Sequence, residues 1–213
     1  MNIRLKDILV KIPKTKRILF EIEKLEIKKG SRILIKGPSG IGKTTLLHLI
    51  AGLFSPDNGE IFIDGKNINN LNDNEKSEFR RYHIGIIFQK LNILDHLTVF
   101  ENVQLQFKKD KNFNKKVIDA LEKIHISELS YEQASSLSLG EQQRVAVARV
   151  LCFSPDIVLA DEPTSSLDDF NTDKVMDSIL NLPKERTIIT VSHDHRIESK
   201  FENVIDFQGL MKK

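Results

Sequence analysis

The segment Gly37-Pro38-Ser39-Gly40-Ile41-Gly42-Lys43-Thr44 sets glycines, a lysine and a hydroxyl in the order G-x-x-x-x-G-K-[ST]. Glycines at this spacing let the backbone curl until successive N–H groups face a polyphosphate, and a helix beginning at the lysine aims its positive end at the same anion. Side chains there would obstruct the approach. Lys43 then has the reach for β- and γ-phosphate oxygens, Thr44 offers a hydroxyl to Mg²⁺, and Thr45 lies beside the α-phosphate. Without context such a segment is only a turn before a helix. The apolar run Arg32-Ile33-Leu34-Ile35-Lys36 directly upstream supplies the strand that the phosphate reading requires.

A second group is Ile157-Val158-Leu159-Ala160-Asp161-Glu162. Four apolar residues make a buried strand, so the two acids emerge together at its carboxyl end, where open α/β sheets gather their ligands. Asp161 is then placed to hold hydrated Mg²⁺, and Glu162 to orient an attacking water or accept its proton. The plain alternative is a helix-capping or turn pair before Pro163. A third group is Leu137-Ser138-Leu139-Gly140-Glu141-Gln142-Gln143-Arg144. Ser138-x-x-Glu141 is a capping box, which starts a helix and puts its partial positive charge and free N–H groups at an exposed turn.

The elements that position these groups follow from pattern. Apolar segments at 3–10 and 18–27 precede the strand at 32–36, the glycine loop and a helix from Lys43 to about Ala51. Residues 60–63 and 66–68 flank Asp64-Gly65, a dipeptide suited to a tight hairpin turn, so an antiparallel flap is expected beside a parallel core. From about 91 to 151 the pattern is helical, with a capping box at Thr98-x-x-Glu101, an amphipathic stretch around 115–124 and a helix from 141 to 151. Strands at 156–160 and 187–191 alternate with a helix near 168–180, the mark of parallel α/β construction. The expected fold is α/β: a P-loop NTPase core with a RecA-like parallel sheet, an antiparallel β flap and an inserted helical subdomain. It forms one domain, with a core at 1–89 and 152–213 and a helical part at about 90–151.

Composition bounds the rest. The chain has 213 residues, 40% of them hydrophobic and 29% charged, enough for one substantial core. A net charge of +2 carries no nucleic-acid signature. The one cysteine, Cys152, has no internal disulfide partner and is expected to pack as a small hydrophobe. Charged residues interrupt the first apolar segment, which argues against a signal peptide and for a cytosolic compartment. No stretch approaches the roughly 20 apolar residues needed to cross a bilayer.

Taken in this order, the glycine loop, the second glycine motif and the apolar run ending in two acids resemble the ATP-binding cassette ATPases, over nearly the whole chain from about residue 25 to 210. The resemblance implies ATP and Mg²⁺ as ligands, hydrolysis of ATP, and two copies that close head to tail. It implies that Gln89, after Ile84-Gly85-Ile86-Ile87-Phe88, contacts Mg²⁺ and water and links to a membrane partner. His193, in Val191-Ser192-His193-Asp194, would be the switch histidine at the γ-phosphate, and Ser165-Ser166-Leu167-Asp168 the loop that crosses the dimer interface. Outside that resemblance a lone histidine ending a strand is an ordinary core or turn residue. Ser138 and the Gly140 amide, at the helix start that Glu141 helps to cap, would face the γ-phosphate bound by the other copy. A homodimer in the ATP-bound state, an integral membrane permease-type subunit as partner, no nucleic acid, and a place on the cytoplasmic face of the inner (plasma) membrane complete the expectation.

Gly85-Ile86-Ile87-Phe88-Gln89, Leu97-Thr98-Val99 and Glu101-Asn102-Val103 look like the branch of lipoprotein-releasing, macrolide-efflux and cell-division ATPases, as do Glu141-Gln142-Gln143-Arg144 and Ala160-Asp161-Glu162-Pro163-Thr164. The function implied is the ATP-hydrolysing subunit of a membrane transporter. A mechanical or regulatory ATPase of the cell-division type is the alternative. A DNA-repair or translation cassette is disfavoured, because the chain has no long coiled-coil insertion and no second cassette. Two positions depart from the pattern. Leu139 stands where the motif has glycine, which disfavours a positive φ and sets a side chain beside a phosphate-facing backbone. The stretch 13–17 has no aromatic ring for adenine; Phe20 reads as core, leaving Arg17, an aliphatic stem or loose holding for the base. Finally, Leu91, Ile93 and Leu94 follow Gln89, either to seat a partner's helix or to pack the helical part on the core.

Overall fold

Strand β3 (Arg32–Lys36) shows in one element how the sequence builds the core. Leu34 points into one apolar cluster while Ile33 and Ile35 point into another, so a continuous apolar run buries both faces. The same division runs through β7 (Ile157–Asp161), with Val158 and Ala160 on one side and Ile157 and Leu159 on the other. With β6 (Ile84–Ile87), β8 (Thr187–Ser192) and β9 (Asn203–Asp206) these form a five-stranded sheet in the order β6-β7-β8-β3-β9, every described pairing parallel. The structure is a computed structural model that describes residues 1–13, 15–105, 113–165 and 167–212.

One face of this sheet is covered by α1 (Lys43–Ile50) and by a four-stranded antiparallel sheet, ordered β2 (Ile18–Ile27), β1 (Ile3–Lys11), β4 (Asn58–Ile63) and β5 (Lys66–Asn67). Asp64 and Gly65 turn the β4–β5 hairpin at φ +45° and +80°, the paired left-handed conformations expected of that dipeptide. The second arm is shorter than expected, since Ile68 begins a 3-10 turn capped by Asn67. A helix not expected from sequence, α2 (Asp73–His83), leads into β6; it has a full Asn72–Glu75 capping box but no buried residue.

The other face packs against α5 (Leu139–Phe153) and α6 (Asp169–Leu180), and α5 in turn carries α3 (Val99–Gln104) and α4 (Phe113–Lys123). The chain closes with the short α7 (Phe207–Leu210). Cys152 is buried in the helical cluster, as its expected packing role requires. Because β3, β6, β7 and β8 run parallel, their carboxyl ends fall on one edge, in the registers Lys36 to Ser192, Asp161 to Val191 and Ile87 to Ala160.

Candidate functional site

The glycine loop joins β3 to α1 and turns through Gly40 at φ +78° and Gly42 at φ +111°. Gly42 has a second reason to lack a side chain: a β-carbon there would come within 2.6 Å of the Phe20 ring. Phe20 is wholly buried and meets Phe207 edge to face, so it is the floor beneath the loop, the core role read from sequence. Gly42 is also the N-cap of α1 and offers no side-chain hydrogen bond, which leaves the first-turn N–H groups free for an anion. Lys43, only 6% exposed, donates to the carbonyls of Gly37 at 2.7 Å and Pro38 at 3.1 Å, and lies 3.7 Å from Glu162 Oε1.

Thr44 donates its hydroxyl to Asp161 Oδ1 at 3.0 Å, joining the start of α1 to the end of β7. Burial holds the Asp161 carboxyl above the usual carboxylate range, the adjacent Glu162 adds to the rise, and the Thr44 bond opposes it. Glu162 sits at φ +47°, a left-handed conformation that costs a non-glycine residue on the order of 1 kcal/mol or more. The surroundings hold it there. Its N–H donates to Val191 O at 2.9 Å, and its carboxylate accepts from Ser192 Oγ at 2.7 Å and the His193 N–H at 3.3 Å. The other oxygen lies 2.8 Å from His193 Nδ1. Glu162 is therefore aimed along the sheet edge at His193, while its carbonyl accepts from the Ser165 N–H at 3.3 Å in the turn that follows.

Ser39, Gly40, Thr44, Gln89, Glu162 and His193 line one cavity of about 180 Å³, together with Gly42, Lys43 and Thr45. Its size and polar lining suit phosphate groups. A neighbouring cavity of about 610 Å³ shares Leu19 and Thr45 with it and is walled by Val10, Ile12, Pro13, Phe54 and the stem of Lys16. Arg17 does not line it; an aromatic ring, Phe54, and aliphatic side chains do.

Ser138, Gly140 and Glu141 do not line either cavity. Ser138 caps α5: its N–H donates to Glu141 Oε2 at 2.8 Å and its hydroxyl to the same oxygen at 2.7 Å, holding the Glu141 carboxyl below its usual range. Leu139 is the first helical residue, 53% exposed and without positive φ, so the backbone there carries no left-handed strain. Gly140 lies against Leu167 of the 165–168 loop, where an added β-carbon would stand 3.3 Å from Leu167 Cδ2. Ser165 is exposed, Asp168 caps α6, and Ser166 lies outside the described residues.

A brace behind this edge went unread in the sequence. Asp194 accepts from Thr164 Oγ1 at 2.8 Å and from the guanidinium of Arg196, which also donates to Leu167 O at 3.2 Å and Asp169 Oδ1 at 2.7 Å. Arg196 is the main cause that lowers the Asp194 carboxyl to about 2. The dipeptide His193-Asp194 was the available signal, but Thr164 comes from a loop distant in sequence and Arg196 reaches Asp194 only through the local turn.

Residues 21–165 match the sequence model of the ABC transporter family. The lipoprotein-releasing system ATP-binding protein LolD of Legionella pneumophila (strain Lens) is 38% identical over 187 residues, covering 85% of this chain and 82% of that protein. The ABC transporter ATP-binding protein MJ0796 of Methanocaldococcus jannaschii is 36% identical over 215 residues, covering 95% of this chain and 92% of its own length. The dimeric structure of the MJ0796 cassette superimposes with a TM-score of 0.88 at 34% identity, covering 96% of this chain and 93% of that one; a second MJ0796 dimer, also at 0.88, is a post-hydrolysis state bound to ADP and Pi. A phosphate-sized cavity at the carboxyl edge of a parallel sheet, with a family match across the glycine loop and both acids, places this chain in the ABC transporter family.

Proposed function

We propose that this chain binds ATP with Mg²⁺ across the glycine loop and the β7 acids, hydrolyses it between two copies, and drives an integral membrane permease-type subunit. The observation that carries the reading is the convergence of Lys43, Thr44, Gln89, Glu162 and His193 on one small cavity at the ends of four strands. Thr44, Asp161 and Gln89 are hard oxygen donors, which suits Mg²⁺. Among the described residues there is no group of three or more acidic, histidine or cysteine side chains able to hold a metal alone. The set therefore fits an ion that keeps phosphate oxygens and water as its other ligands, and such an ion neutralises charge on the phosphates.

The protein's own groups have distinct tasks. Gly37, Ser39, Gly40, Ile41 and Gly42 wrap the phosphates with backbone N–H groups, Pro38, which has no N–H, helps to fix the curl of the loop, and Thr45 meets the α-phosphate. Lys43 exchanges its bonds to the Gly37 and Pro38 carbonyls for phosphate oxygens. Glu162 orients the attacking water and accepts its proton, while Ser192 and His193 hold the carboxylate in line and His193 steadies the γ-phosphate. The base and ribose lie in the adjoining cavity against Ile12 and Leu19. Ser138, Gly140 and the Glu141-capped turn meet the nucleotide of the second copy, consistent with their absence from the cavity of their own chain.

In this reading the unit divides into a core, 1–89 and 152–213, and a helical part, about 90–151, with no role for nucleic acid. Among the described residues no helix is long and apolar enough to cross a membrane, so the permease-type partner supplies the spans and seats the chain on the cytoplasmic face of the inner (plasma) membrane. The named relatives are transporter subunits, which favours transport over the regulatory alternative. Glu162→Gln tests the mechanism. It keeps the shape and one accepting oxygen but removes the base, so turnover is expected to fall by about 10²–10⁴-fold while ATP affinity persists and an ATP-dependent dimer accumulates in sedimentation. Hydrolysis at the wild-type rate would remove Glu162 from this role, and a monomer with ATP bound would overturn the shared site.

A further inference from the structure

Phe54 lies in the segment after α1 and lines the cavity of about 610 Å³ that adjoins the phosphate cavity. It is 39% exposed and belongs to neither apolar cluster of the core, so packing of the sheet does not account for the ring. An exposed phenylalanine by itself is ordinary. This one is held in place. His48 meets it edge to face with ring centroids 6.4 Å apart, and the turn before it is closed by the Leu53 N–H donating to His48 O at 3.0 Å. From α2, Arg80 donates to Gly52 O at 2.8 Å and Lys76 to Ser55 Oγ at 3.2 Å, which fixes the segment on both sides of the ring and gives a helix with no buried residue a task.

The aliphatic lining comes from the end of β1 and the loop after it, through Val10, Ile12 and Pro13, and from Leu19 on β2. These segments are tied to the one that carries Phe54. The Asp57 N–H donates to Leu9 O at 2.9 Å, and Asp57 Oδ2 accepts from the Lys11 N–H at 2.8 Å. The loop after β1 is closed on itself by the Ile12 N–H to Arg17 O at 2.8 Å and the Lys16 N–H to Ile12 O at 2.9 Å. The cavity is therefore formed before a ligand enters it, and among the described residues Phe54 is its one aromatic side chain. Thr45 lines both cavities, so a group attached to phosphates at the glycine loop extends into this one.

We propose that Phe54 is the ring on which the adenine of the bound nucleotide stacks, with Ile12 completing the apolar contact. A flat heteroaromatic base gains from an aromatic face whichever segment supplies it, and the stretch 13–17 supplies none. The base support has thus moved from the loop after β1 to the segment after α1. This rests on the reading of the two cavities as one nucleotide site.

The probes are ADP and inorganic pyrophosphate, each with Mg²⁺, titrated into the isolated chain; ADP carries the adenosine, pyrophosphate does not, and neither measurement depends on turnover. Phe54→Ala is expected to weaken ADP binding by roughly tenfold and to leave pyrophosphate affinity unchanged, while Phe54→Tyr keeps the wild-type affinity for both. The chain has no tryptophan, so Phe54→Trp installs a single indole whose fluorescence is expected to respond to ADP and not to pyrophosphate. That variant carries the test if Phe54→Ala does not fold. Unchanged ADP affinity in Phe54→Ala, an equal loss for both probes, or an indole indifferent to ADP would each overturn the proposal. So would a Phe54→Ala chain that keeps its ADP affinity but no longer brings the membrane partner down from solubilised membranes, which would make the ring a docking residue. A wild-type chain that binds pyrophosphate and ADP equally defeats the base site alone, whereas one that binds neither defeats the nucleotide reading beneath it.

Discussion

Asp194 shows what residue chemistry leaves unannounced. The loop glycines, Lys43, Thr44, Asp161 and Glu162 were legible because phosphate binding imposes residue types at fixed spacing. Asp194 was not, because Thr164 reaches it only through the adjacency of β7 and β8, and Arg196, two residues on, is turned back onto it while also holding Asp169. Its carboxyl is lowered from 3.8 to about 2, chiefly by Arg196. A depressed carboxylate pKa means that the folded state favours the ionised form, so its stabilisation is complete above the unfolded value and disappears as pH falls through the folded one. Asp194→Asn should therefore lower the melting temperature at neutral pH, with the gap to wild type closing between about pH 4 and pH 2. Melting curves across that range decide it; a gap that stays constant with pH would assign Asp194 a packing role instead of an ionic one.

Among elements, legibility followed burial. β3 and β7 bury both faces and were read from their apolar runs, and α5 from its capping box, whereas α2 has no buried residue and so no apolar stripe to read. The start of α5 is where a local departure bears on assembly. Leu139 occupies the first helical position without positive φ, so any obstruction comes from its side chain, 53% exposed at the turn that the proposed function brings to the second copy's phosphate. Leu139→Gly removes that side chain at a helix cost of up to about 1 kcal/mol. The isolated subunit should be slightly less stable, while ATP-dependent dimerisation in the Glu162→Gln background should strengthen. Sedimentation across a concentration series reads the balance, and weaker association with glycine would show that Leu139 contributes contact and does not obstruct.

At the scale of the whole molecule, the proposed cycle sets one half of the phosphate chemistry at the carboxyl edge of the parallel sheet and the other half at the start of α5, away from that cavity. That separation makes a second copy chemically necessary in the proposed cycle, and it leaves the 91–98 loop as the segment between the two. Sequence left Leu91, Ile93 and Leu94 undecided between docking and packing because an apolar residue in a loop has no periodicity to orient it. The structure separates them: Ile93 packs against the helical core cluster, and Leu94 is 39% exposed. Asn102 holds both the N–H and the carbonyl of Leu94, so the backbone there does not depend on the leucine side chain. Leu94→Asp should accordingly keep the melting temperature and nucleotide affinity of the isolated subunit, since it places a charge in solvent and leaves the Asn102 bonds in place. A helix end of the membrane partner seated on that side chain would instead meet an unpaired carboxylate, which costs several kcal/mol if desolvated. Co-purification from membranes should then be lost. A large drop in thermal stability would place Leu94 in the core after all, and undiminished co-purification of a folded variant would move the docking surface away from this loop.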